Sequence, residues 1–201
     1  QPGRIFFRER QWPEGFVFPA CGNCNAVSRQ SERVLGVLIH GEADANDRKR
    51  YRANLDSVRR EFPDAIEALI PTAREVRNIF RDRDLAKPEG MLFGEIPLIK
   101  LDKDFWHPHF EMFAQKLLLA LHYQCFSVPL SSQGGMWIYI HSNVDFLAGD
   151  YPREILEMAE HIALPTRQKR YLGDQFTVRW NFVLDPRTAI FVAQLQRRFV
   201  I

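Results

Sequence analysis

Residues 175–184 read QFTVRWNFVL, and residues 189–197 read AIFVAQLQR. In the first run Phe176, Val178, Trp180, Phe182 and Leu184 alternate with Thr177, Arg179 and Asn181. A period of two is the mark of a strand with one apolar face. Asp185, Pro186, Arg187 and Thr188 stand between the runs and supply turn chemistry. The two runs therefore predict an antiparallel hairpin. Most of the chain upstream carries helical spacing instead. Helices and antiparallel strands in separate blocks define an α+β protein.

Working back from the hairpin, Pro152 opens a helix that Asp150 is placed to cap. Residues 136–141, MWIYIH, read as a buried strand, and Ser131–Gly135 as the loop before it. Pro108 suits the first turn of a helix. Phe110, Phe113, Leu117 and Leu121 then step by three, four and four along it. Residues 92–100 read as a further strand. The stretch AKPEG at 86–90 reads as a loop and a boundary.

Thr72 and Glu75 have the spacing of a capping box, which predicts a helix over 72–84. Tyr51, Leu55, Val58 and Phe62 make one apolar stripe, which predicts a helix over 46–62. Val34, Leu35, Leu38 and Ile39 predict a helix over 25–40 that stops at Gly41. The division that follows is an N-terminal arm over 1–40, a helical segment over 41–86 and an α+β domain over 87–201.

A chain of 201 residues with 46% hydrophobic and 26% charged residues is long enough and apolar enough to bury a core. No apolar run approaches the roughly 20 residues of a membrane span. The first eleven residues carry Arg4, Arg8 and Arg10 and lack the apolar core of a signal peptide. The net charge of +2 gives no global field for nucleic acid. Three cysteines without a secretory signal argue for a reducing cytoplasm rather than a disulfide framework. Cys125 reads as a core residue.

The sharpest local signal is FPACGNCN at 18–25. A knuckle turn can direct Cys21 and Cys24 to one zinc ion, with a helix starting at or just after Cys24. Structural zinc takes four ligands, and the chain has no second such pair. His40 comes 16 positions after Cys24, about 20 Å away along a helix, and is discounted as a ligand. A redox pair and two free thiols are the other readings of the same residues. His107, His109 and Glu111 could form a metal cluster, but Pro108 between the imidazoles favours capping and surface contacts.

Residues 11–32, QWPEGFVFPACGNCNAVSRQSE, resemble the second half of HNH-endonuclease-like proteins of the treble-clef type. The resemblance extends more faintly to 109–123. It implies that Cys21 and Cys24 hold a structural zinc together with a pair of cysteines upstream of Gln1. It implies that Asn25 orients an active site and that a catalytic histidine also lies upstream. The helix position where a metal ligand is expected holds Arg33. The implied partner is DNA, contacted at its phosphates by Arg4, Arg8, Arg10 and Arg33. Catalysis would use a divalent metal in a complete protein, and this chain is expected not to cut. The alternatives are a non-catalytic zinc-containing binding module and a plain interaction protein whose cysteines are incidental.

Overall fold

The computed structural model describes residues 6–7, 12–14, 18–40, 45–87, 89–90, 92–93, 98, 100, 103–131, 134–142, 149, 153–159, 161–163, 166–167, 170–173, 175–182, 189–196 and 199–201. The fold is α+β. Its helices are α1 (Gly22–Ile39), α2 (Ala45–Glu61), α3 (Pro63–Leu69), α4 (Ala73–Asp82), α5 (Lys103–Phe126) and α6 (Arg153–Met158). Its strands are β1 (His141–Ser142), β2 (His161–Ala163), β3 (Thr166–Arg167), β4 (Arg170–Tyr171), β5 (Phe176–Phe182), β6 (Ala189–Leu195) and β7 (Phe199–Val200). The chain forms two compact units, one of Gln1–Glu32 with Phe110–Ile201 and one of Arg33–His109.

The first unit is built on an antiparallel sheet in the order β1-β7-β6-β5-β2, with β3 and β4 as a separate pair. The expected hairpin is present: Phe176 stands opposite Leu195 and Phe182 opposite Ala189. Phe176 and Val178 are buried while Arg179 is exposed, as the alternation requires. The alternation weakens at the strand end, where Phe182 is 39% exposed. The expected turn at 185–188 lies outside the described residues.

The core of this unit gathers segments far apart in the chain. Phe6 packs on Phe113 with ring centroids 4.6 Å apart. Phe7 and Phe176 stand edge to face with ring centroids 5.9 Å apart. All four rings are fully or almost fully buried, each stabilising by about 1.5–3 kcal/mol. Gln196, in the left-handed region at φ 51°, turns its amide to donate to the Phe6 carbonyl at 2.8 Å. Lys116 bridges α5 to α1 by donating to Ser28 Oγ at 2.9 Å and pairing with Glu32.

Two expectations need correction, one in this unit and one at the start of α5 in the other. Residues 136–140 form no strand, and only His141 at the end of that run enters β1. Trp137 is 80% exposed and Tyr139 60%. An apolar run alone does not make a strand; a backbone partner is required, and β1 finds one only at Val200 and Phe199. The helix expected from Pro108 begins at Lys103, with Pro108 inside it. The indole of Trp106 donates to the Lys100 carbonyl at 2.6 Å and fastens the earlier turn, although Pro108 lacks the N–H that a helix interior uses.

The second unit is helical. The helices expected over 46–62 and 72–84 appear as α2 and α4. Thr72 caps α4: its hydroxyl accepts from the Glu75 amide at 3.3 Å, and the Glu75 carboxylate accepts from the Thr72 amide at 2.7 Å. Pro63 starts α3, which buries Ala65 and Leu69. Leu92, Phe93, Leu98 and Lys100 lie in no strand, and the rest of 92–100 lies outside the described residues. Asp150 and Pro152 also lie outside them, just before α6.

Candidate metal centre at the start of α1

Gly22 is the first residue of α1, so the helix starts one position after Cys21 rather than at Cys24. The first turn of a helix has amides with no partner in the helix. Cys21 supplies one: the Cys24 amide donates to Cys21 Sγ at 3.1 Å. The ordinary helical ladder begins with the Asn25 amide on the Cys21 carbonyl at 3.1 Å. This cap draws Cys24 back toward Cys21, and the two sulfurs stand 2.8 Å apart. Both side chains are exposed.

The pair titrates asymmetrically. The Cys24 thiol donating to Cys21 Sγ, followed by the Cys24 amide, holds the Cys21 thiol below its ordinary value. Cys24 is pushed up, first by that same hydrogen bond and then by the negative charge on Cys21. Cys21 is thus the first thiolate, and Cys24 gives up its proton when a cation offsets the charge on its neighbour. Two thiolates on one tetrahedral zinc, about 2.3 Å from it each, stand roughly 3.8 Å apart, so this pair opens by about 1 Å to share an ion. They fit two of the four positions of a structural zinc. Among the described residues no group of three or more His, Cys, Asp and Glu is placed to hold a metal ion.

The structure places the other candidate residues separately. Asn25 is exposed in the first turn of α1, and its carbonyl accepts from Ser28 Oγ at 3.3 Å. Arg33 pairs with Glu61 at 3.1 Å and donates to Ser57 Oγ. Arg4, Arg8 and Arg10 lie outside the described residues. His40 follows the last residue of α1 and is buried.

His107 and His109 sit two positions apart on the continuous helix α5, a spacing that turns them to different faces. His109 stacks edge-on against Phe105 at 5.0 Å. Burial holds its imidazole below the ordinary value. Cys125 is half-buried, and burial pushes its thiol up.

One feature had no motif to announce it. A cavity of about 700 Å3 lies in the first unit, lined by residues that include Leu117, Leu121, His122, Trp137 and Val192. The exposed aromatic run at 136–139 was its signal in the sequence, and it reads equally well as a strand.

No helix among the described residues is long and apolar enough to cross a membrane. Comparison with known protein families, with curated proteins and with solved structures finds no match.

Proposed function

We propose that this chain is the zinc-knuckle part of an HNH-nuclease-like protein that associates with nucleic acid, and that the chain itself does not hydrolyse phosphodiesters. The observation that supports the reading is the convergence of Cys21 and Cys24 at the N-terminus of α1, with Asn25 immediately after. Zinc, when bound there, supplies folding free energy and not chemistry. Cys21 acts as the first thiolate and Cys24 as the second. The two remaining donors come from outside the described residues. The inactive half of the reading rests on Arg33, which stands where the resemblance asks for a metal ligand and cannot lose its proton to become one.

Elemental analysis of purified chain tests the metal. Zinc bound to the chain and lost in the Cys21→Ser, Cys24→Ser double variant is the expected result. Zinc retained by that variant would overturn the assignment. A metal-free chain that loses two hydrogens in mass on mild oxidation would identify the pair as a redox dithiol instead. Plasmid incubation with magnesium, manganese or zinc tests activity. Intact plasmid is expected, with salt-sensitive DNA binding in a titration at two ionic strengths. Metal-dependent nicking abolished by Asn25→Ala would show the chain to be a nuclease.

A further inference from the structure

The cavity in the first unit has a volume of about 700 Å3. That lies within the range of roughly 300–1,000 Å3 seen for small-molecule sites. One wall is α5, through Leu117, Leu121 and His122; another is β6, through Ile190 and Val192. We propose that it binds a neutral, largely apolar small molecule carrying an aromatic ring and one hydrogen-bond donor. The proposal is independent of the zinc reading.

Charge sets the first requirement. Among the described lining residues there is no Asp, Glu, Lys or Arg. A charged ligand would lose its water there without gaining a partner, so the body of the ligand is neutral.

Ring geometry sets the second. Phe126 stands 6.5 Å from Phe191 and 4.6 Å from His122, and all three line the cavity. Trp137 and Tyr139 line it as well while remaining 80% and 60% exposed. The Trp137 ring is held against Gly135, where an added Cβ would meet it at 3.5 Å. Rings so placed favour a flat aromatic partner by edge or offset stacking.

An imidazole sets the third: of the two in the lining, His122 and His141, it is His122 whose ring is fixed by a neighbouring carbonyl. His122 Nδ1 lies 3.1 Å from the Val128 carbonyl. A carbonyl only accepts, so Nδ1 carries the proton. The other nitrogen of the neutral ring is then an acceptor, which calls for a donor on the ligand.

N-phenyl-1-naphthylamine meets all three requirements: it is neutral, aromatic and has one N–H, and its fluorescence rises and shifts to the blue in apolar surroundings. Titration against the full chain is expected to saturate at one probe per chain. Trp137→Ala, a change at an exposed position, is expected to weaken binding about tenfold. His122→Phe keeps a ring but no acceptor and is expected to weaken it about fivefold. Leu85→Ala removes an exposed apolar side chain from the other unit and is expected to leave binding unchanged. Circular dichroism confirms that each variant is folded, and Tyr139→Ser replaces Trp137→Ala if that variant is not.

Binding that fails to saturate overturns the proposal. So does binding that is insensitive to both cavity variants, or equally sensitive to Leu85→Ala. Sedimentation showing a dimer that the probe must dissociate also overturns it, because the face would then belong to a second copy of the chain.

Discussion

Each unit is held together internally, and over a very different length of chain. Within Arg33–His109, Lys100 Nζ reaches the Glu67 carbonyl across 33 positions, and the capping box of α4 spans three. Within the other unit, Gln196 reaches Phe6 across 190 positions and Lys116 reaches Glu32 across 84. Short-range contacts are written as spacing and can be read from a sequence. Long-range contacts depend on which surfaces meet, and they are also the slower ones to form, because the chain must close a long loop before they act. The difference can be tested by removing one contact of each kind.

The largest effect is expected at Phe176. It is buried, opens β5 and packs at right angles to Phe7. Phe176→Ala deletes a ring from a core that joins the N-terminal residues to the sheet, and is expected to lower stability by about 3–5 kcal/mol. Urea unfolding followed by circular dichroism measures it. A loss below about 1 kcal/mol would mean that the long-range core contributes little, and the contrast between the units would fail.

A smaller effect is expected at Lys116. Its side chain and that of Glu32 are only 17% and 13% exposed. Lys116→Met leaves the carboxylate with little water and no cation, at a cost of about 1–3 kcal/mol. Adding Glu32→Gln removes the stranded charge and is expected to recover much of that loss. A double-mutant cycle that shows no coupling would mean that the bridge is not formed in solution.

These contrasts explain how far the sequence could be read. The α4 cap was legible because Thr72 and Glu75 meet at a spacing the backbone itself dictates. The hairpin was legible because one face of 176–182 faces a core, at least at Phe176 and Val178. Strands β1, β2 and β7 were not, since two or three residues carry no period and are strands only through their partners. Pro108 pointed to a helix start because it fits a first turn, while the tie that starts α5 earlier runs from Trp106 to a carbonyl six residues back. Residues 136–140 are continuously apolar, as a buried strand is, but 136–139 line a cavity. At the candidate site, Cys21 and Cys24 were legible from their spacing. The start of the helix was displaced because sulfur, and not an ordinary capping oxygen, closes its first turn.

The smallest effect concerns the local kind of contact and shows in its pH dependence. The Glu75 carboxyl is held down at about 2, first by the Thr72 amide and then by Lys100, whose ammonium lies 3.0 Å away. A carboxyl depressed in the folded state stabilises it most where it is ionised in both states. That contribution is therefore complete above the unfolded value of 4.5, and it fades as pH falls from there through about 2. The carboxylate is exposed, so salt is expected to weaken the effect. Glu75→Gln keeps an acceptor for the Thr72 amide and removes only the charge. Unfolding midpoints of the two proteins are expected to differ at about pH 7, with wild type the more stable, and to converge as the pH approaches about 2. A difference that stays constant over that range would mean that shape, and not charge, carries the cap. The α4 cap would then owe nothing to Lys100, 25 residues away.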